Sequence, residues 1–177
     1  MATLFSALAL AGGEASADDN GHELFQRFAK TCAMKPVSGE ALDKQARGVG
    51  YVLQHGPLPP DDPKQDLDLL LSWSLPDRGS DFALDAYIVG LRAHYQVICS
   101  IHADNVDLAA LMESLERETT LPVPQATSSA QTGAPVYIWT VPADGATDKL
   151  EVRAYGAERR RVNVTLTYDV IARESPS

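Results

Sequence analysis

The sequence predicts an α+β domain: a mainly antiparallel sheet of about six strands, with about three helices packed on one face. Three observations support this prediction. Apolar residues recur every three to four positions in three segments, as in amphipathic helices. In six other segments the composition is rich in β-formers and alternates between apolar and polar, as in half-buried strands. Short turns join most of these strands, which favours antiparallel pairing and leaves one sheet face for the helices.

The first predicted helix covers residues 22–34. Phe25, Phe28 and Cys32 fall on one side of it, and Pro36 forces an end just beyond it. Asn20-Gly21 is predicted as its cap.

Two further helices are predicted from their caps. Ser38 is the expected N-cap of a second helix at about 38–47, which stops at Gly48 and Gly50. Asp104 or Asn105 is the expected cap of a third helix that runs to about residue 118.

The six strands are predicted at residues 69–75, 82–89, 95–102, 135–142, 149–155 and 161–171. In the third, Cys99 shares the inward side with Val97 and Ile101, whereas His102 falls on the outward side. The Pro-rich residues 54–64 and the polar residues 121–135 are predicted as connections. The second of these is the place where the domain could be divided.

The start of the chain predicts an export signal. A short apolar run, Met1 to Ala11, is followed by Ala15-Ser16-Ala17, a small-x-small pattern that signal peptidases cut. We therefore expect a signal peptide at residues 1–17 and a single mature domain at 18–177, either periplasmic or secreted. The alternative is an ordinary N-terminal arm, since Arg27 is the first basic residue. No transmembrane segment is expected, because no other stretch approaches the ~20 apolar residues needed to cross a bilayer.

Composition narrows the classes of partner. Apolar residues make up 45% of the 177 positions and charged residues 22%, as in ordinary globular proteins. The 24 acidic residues exceed the 15 basic ones, which gives a formal charge of −9. Such a surface repels phosphate backbones, so no nucleic-acid partner is expected.

The chain has two cysteines, Cys32 and Cys99. A helix packed on the inward face of the sheet could bring them together. In the chain-entropy model, the bond would stabilise the folded state by about 4 kcal/mol, because it closes a long loop in the unfolded chain. The alternative is two separate buried thiols that act as small hydrophobes. A redox enzyme is not expected, because there is no Cys-x-x-Cys motif and no basic residue next to either cysteine.

The segment Phe28-Ala29-Lys30-Thr31-Cys32 on a helix, followed by a strand with Cys99 and an Asp-capped helix, resembles small exported proteins of proteobacteria. The resemblance covers residues 24–116. It implies a periplasmic location and a structural disulfide, and it assigns no catalytic residue.

Candidate chemistry is sparse. His102 and Asp104 could place an imidazole and a carboxylate on one surface, as part of a metal site or an acid–base pair. The simpler interpretation is a solvent-facing histidine followed by a helix cap. The sequence contains no nucleophile elbow, phosphate-binding Gly-rich loop or zinc-protease motif.

These observations favour a non-enzymatic binding or interaction domain, with an unknown protein or small molecule as partner and with no cofactor or metal. The alternatives are a small hydrolase or metal-dependent enzyme using His102 and Asp104, and a structural subunit of an envelope assembly.

Overall fold

The computed structural model describes residues 17–36, 38–56, 67–76, 79–91, 94–128, 133–143, 146–156 and 160–171. The described helices are α1 (Ala17–Lys30), α2 (Gly39–Gly48) and α3 (Leu108–Glu118), and a 3-10 turn follows α1 at Cys32–Met34. The described strands are β1 (Val52–His55), β2 (Leu67–Leu75), β3 (Gly79–Leu91), β4 (His94–Ala103), β5 (Gln125–Ser128), β6 (Pro135–Ala143), β7 (Ala146–Tyr155) and β8 (Arg161–Ile171). The chain therefore has mixed helix and strand content, as the sequence predicts.

The prediction of about six strands is wrong, because the described residues form one antiparallel sheet of eight. The two strands that sequence patterns missed are β1 and β5, which lie at the two edges. Each has only four residues and most of them are exposed, so burial imposes no alternation on them. β1 begins just before the predicted Pro-rich connection, and β5 lies within the predicted linker at 121–135.

The strand order is β1-β2-β3-β4-β8-β7-β6-β5. The sheet thus consists of a first half, β1–β4, and a second half, β5–β8, each of which is a meander of consecutive antiparallel strands. The halves meet where β4 pairs with β8, with Cys99 opposite Leu166.

The two faces of the sheet differ. The face that carries Trp73, Cys99 and Trp139 is buried under the three helices, and we call it the covered face. The opposite face, which we call the open face, carries half-exposed side chains such as Asp85 and His102. Antiparallel sheets commonly bury one face and leave the other to water.

Helices α1 and α3 cross closely at Gly21. A Cβ at this position would lie 2.8 Å from the backbone oxygen of Asp107 and 3.1 Å from the nitrogen of Leu111. The neighbouring Asn20 donates its side-chain amide to the backbone oxygen of Asn105 (3.2 Å). The predicted cap at Asn20-Gly21 is therefore wrong: α1 begins at Ala17, and the glycine is needed inside the helix for the close approach of α3.

The predicted signal peptide lies outside the described residues, except for Ala17, which is the first residue of α1. None of the described helices combines the length and the apolar composition required to span a bilayer.

Gly21 and Gly48 offer a matched pair of substitutions for testing this crossing. Nothing lies within 4 Å of a Cβ placed at Gly48, near the end of α2. We expect Gly48→Ala to leave the free energy of unfolding unchanged or to raise it by up to about 1 kcal/mol. Gly21→Ala should lower it by about 1–3 kcal/mol, because the backbone of α3 must move away. Urea denaturation measures both, and equal stability of the two variants would contradict the proposed crossing.

Candidate functional site

The two cysteines are joined. The sulfur atoms of Cys32 and Cys99 lie 2.03 Å apart, and neither residue is exposed to solvent. Cys32 stands at the start of the 3-10 turn that ends α1, and Cys99 lies on the covered face of β4. The bond predicted from the sequence is therefore present. Its burial makes it a structural element and not an accessible redox centre.

Residues just after Cys32 attach the same segment to two more strands. Lys35 forms an ion pair with the buried Asp148 of β7. The hydroxyl of Tyr168, on β8, donates to the backbone oxygen of Pro36 (2.8 Å). Burial raises the pKa of Tyr168 above its usual value, so the phenol remains protonated and able to donate. Five consecutive residues thus contact three adjacent strands of the sheet.

His102 faces the open side of the sheet, as the alternation in β4 predicts. Its Nδ1 lies 3.6 Å from Oδ2 of Asp85, on the neighbouring strand β3. The hydroxyl of Ser72, on β2, donates to the other carboxylate oxygen of Asp85. Asp85 and Ser72 belong to no recognisable sequence motif, although the alternation of β2 and β3 assigns both to the polar face.

This arrangement does not resemble a catalytic triad. In a triad the serine bonds the imidazole, and the carboxylate bonds the other ring nitrogen. Here Ser72 bonds Asp85 directly, and His102 is too far from Asp85 for a good hydrogen bond. Within the described part of the chain, no group of three or more His, Cys, Asp or Glu residues is placed to hold a metal ion.

Asp104 has a different partner from the one suggested by its proximity to His102. Its two carboxylate oxygens accept from Arg161, at 2.5 Å from Nε and 3.0 Å from Nη2. This contact lowers the pKa of Asp104 below its usual value, although burial acts in the opposite direction. The structure thus pairs Asp104 with Arg161 and places His102 beside Asp85. Nor does Asp104 or Asn105 cap α3: the N-cap is Asp107, which accepts from the backbone nitrogens of Ala109 (2.7 Å) and Ala110 (3.2 Å).

A row of small polar side chains crosses the open face. Register aligns Asp85, Ser100 and Thr165 on neighbouring strands, and the hydroxyls of the last two lie 2.9 Å apart. Asp85 and Ser72 continue the row toward one edge. Because these groups satisfy one another, the row is a solvated surface with no evident preference for a ligand.

A concave and mainly apolar surface lies on the covered side, near the edge at β5. We call it the Trp139 groove, and it has a volume of about 240 Å³. It is lined by Leu115 and Glu116 of α3, by Leu121 and Pro122-Val123-Pro124 of the following segment, and by Trp139 of β6. Val123 is 93% exposed. The sequence pattern predicts only a linker for this segment and gives no signal of the groove.

A second depression of similar volume lies between α1 and the end of α2. Its central residue, Arg27, is already engaged: it bonds Glu23 and the backbone oxygen of Val49, and it lies over the rings of Tyr51 and Phe82. This depression is accordingly a packed junction between elements.

No family model, curated protein or solved structure matches this chain. The resemblance to small exported proteins of proteobacteria remains a prediction.

Removal of the disulfide should cost much of the stability of the fold. The bond closes a loop with a sequence separation of 67 residues. We expect the Cys32→Ala/Cys99→Ala double variant to lose about 4 kcal/mol of unfolding free energy. Urea denaturation of the oxidised protein and of the variant measures this difference, and a loss below about 1 kcal/mol would show that the bond is dispensable for packing.

The Asp104–Arg161 pair should stabilise the protein only above acidic pH. Because the pKa of Asp104 is lowered in the folded state, its contribution is present above the unfolded value of about 3.9 and is lost as the pH falls through the lower folded value. Asp104→Asn should therefore be less stable than the parent at pH 7, with the difference shrinking below about pH 4. Thermal denaturation across this range measures it. Arg161→Gln serves as the matched variant and should show the same pH dependence of stability. A loss of stability that does not change with pH would contradict this account.

Proposed function

We propose that this chain is an exported protein, periplasmic or secreted, that acts as a non-enzymatic binding domain for another protein. The observation that supports export most directly is the fully buried bond between Cys32 and Cys99. Disulfides form and persist in oxidising compartments and are rare in the cytosol. The small-x-small pattern at Ala15-Ser16-Ala17 supports the same location independently.

Binding is favoured over catalysis by the character of the concave surface. The Trp139 groove is lined mainly by apolar residues and contains one carboxylate, Glu116. Apolar grooves of this kind bind side chains of partner proteins. His102, the strongest candidate for acid–base chemistry, lies on the opposite face beside Asp85 and has no hydroxyl nucleophile bonded to it among the described residues.

Two alternatives are supported by particular observations. The proximity of His102 and Asp85 supports a small hydrolase, and ester or phosphate turnover that His102→Gln abolishes would favour it over a binding domain. The exposed β5 edge and Val123 support a subunit of an envelope assembly. Recovery of the native protein as a stable complex of many copies would favour that alternative.

The decisive measurement is intact-mass and peptide spectrometry of the protein purified from its native host under conditions that trap thiols. We expect a mature N-terminus at Asp18 and a single peptide pair linked through Cys32 and Cys99. A cytosolic protein that retains Met1 or Ala2 and carries two free thiols would refute export. Protein expressed without the first seventeen residues and oxidised in vitro provides the mass standard.

A further inference from the structure

We propose that this chain forms a two-fold symmetric dimer through the open face of its sheet, with a second copy of itself as the partner. The inference goes beyond the proposed function, and it depends neither on export nor on the Trp139 groove.

The exposed apolar side chains are concentrated on the open face. Six large apolar residues are exposed among the described part of the chain. Strand alternation and register assign four of them to the open face: Val52, Leu70, Leu91 and Ile171. The other two, Met34 and Val123, lie outside the strands. Since exposed apolar surface that is contiguous marks an interaction site, the arrangement of the four decides whether they form one.

Two rows of paired residues make this surface continuous. In the first row, Leu70 pairs with Tyr87 and Tyr87 pairs with Ile98, across β2, β3 and β4. Leu70 is 54% exposed, and the other two side chains are half-buried.

The second row lies at the end of the same strands. Leu91 of β3 and Ile171 of β8 both pair with His94 of β4, and they are 61% and 64% exposed. Val89 lies on β3 between the two rows. We call this surface the open-face patch, and it consists of Leu70, Tyr87, Val89, Leu91, Ile98 and Ile171.

The monomer does not use the open-face patch for its own core. None of the six residues belongs to the hydrophobic cluster between the sheet and the helices or packs against it. The polar row through Asp85 borders the patch on one side, as polar groups border the apolar centre of an interface.

The open face is large enough for a stable dimer. Its six strands of nine or more residues, spaced about 4.8 Å apart with about 3.4 Å per residue, offer roughly 900 Å². Two such faces would bury roughly 1,800 Å², within the ~1,200–2,000 Å² of specific, stable interfaces. A wide face of this kind packs well against another sheet, about 10 Å away and with nearly aligned strands.

Charge makes the open face complementary to itself. The strands of the first half, β1–β4, contain acidic residues such as Asp85 but no lysine or arginine. In the second half, β7 carries Lys149 and Arg153 on the open face, on either side of Glu151. A second copy whose second half lies over the first half of the other therefore brings opposite charges together. An identical chain supplies both the matching outline and the matching charges, which favours it as the partner.

The two-fold axis that achieves this runs along the strands near β4. It exchanges β3 of one copy with β8 of the other, and β2 with β7. Leu91 then lies over Ile171 of the second copy, and Leu70 lies over the strand that carries Lys149. Such an isologous contact is complete with two copies.

Sedimentation equilibrium tests the proposal on the oxidised protein, both as the full chain and beginning at Asp18. We expect a reversible equilibrium between monomer and dimer in both, with no larger species. Protein that stays monomeric up to about 1 mM would overturn the proposal. So would a dimer that forms only in the chain beginning at Met1, because the N-terminal segment would then be the contact.

Variants locate the contact. Leu70→Lys and Leu91→Lys should each raise the dissociation constant about tenfold or more, because a charge replaces an apolar contact. Met34→Lys and Val123→Lys are matched controls, since they make the same kind of change at apolar residues that are 63% and 93% exposed and lie outside the strands. Both controls should stay within about twofold of the parent.

Leu70→Glu tests the orientation of the two copies. If Leu70 lies over the strand that carries Lys149, a lysine there is repelled and a glutamate is attracted. At low salt, Leu70→Lys should therefore weaken the dimer at least about threefold more than Leu70→Glu, and the difference should shrink at high salt. Equal weakening by the two variants would contradict the proposed axis.

Two other surfaces give different results. Amide hydrogen exchange of dilute and concentrated protein would show added protection of residues 125–128 if copies paired through the edge strand β5. A loss of the dimer in Val123→Lys would place the contact at the Trp139 groove. Either result would overturn the proposal. Because none of these measurements depends on the N-terminus or thiol state of the native protein, failure of this inference is distinguishable from failure of export.

Discussion

The bond between Cys32 and Cys99 is the constraint on which the packing of helices against the sheet depends. It fixes the end of α1 to the covered face of β4, next to the line where the two halves of the sheet meet. The residues that follow then reach β7 through Lys35 and β8 through Pro36. The carboxylate of Asp148 is buried, and a buried charge is tolerated when a partner such as Lys35 compensates it. One short segment therefore links the first half of the sheet to the second on the side where the helices lie.

Much of this fold could be predicted from local pattern. The long strands alternate because one side is buried, so the sequence pattern assigns Cys99 and His102 to the correct faces. The edge strands β1 and β5 could not be found in this way, because their exposed side chains leave no periodic signal. Gly21 shows a second limit of local pattern. It resembles a residue at a helix boundary, and only the crossing of α1 with α3 explains its place inside a helix.

The candidate surfaces were harder to predict, because each joins residues that are distant in sequence. Asp85 meets His102 only through the register of β3 with β4, and Asp104 meets Arg161 across 57 residues. The Trp139 groove combines α3, β6 and a proline-containing segment, none of which looks unusual by itself. In such cases the sequence supplies the residue types, whereas tertiary contacts decide which of them become neighbours.

The strand order has a consequence for how the chain assembles. β5, β6 and β7 are synthesised before β8, yet only β8 pairs directly with β4. The second meander therefore cannot join the first by backbone hydrogen bonds until β8 has been synthesised. Both cysteines, in contrast, precede residue 104, so the covalent cross-link joins elements that all lie before the second meander in the sequence. Loss of the last dozen described residues would then leave β4 and β7 each with an unpaired edge, and no strand would join the two meanders by backbone hydrogen bonds.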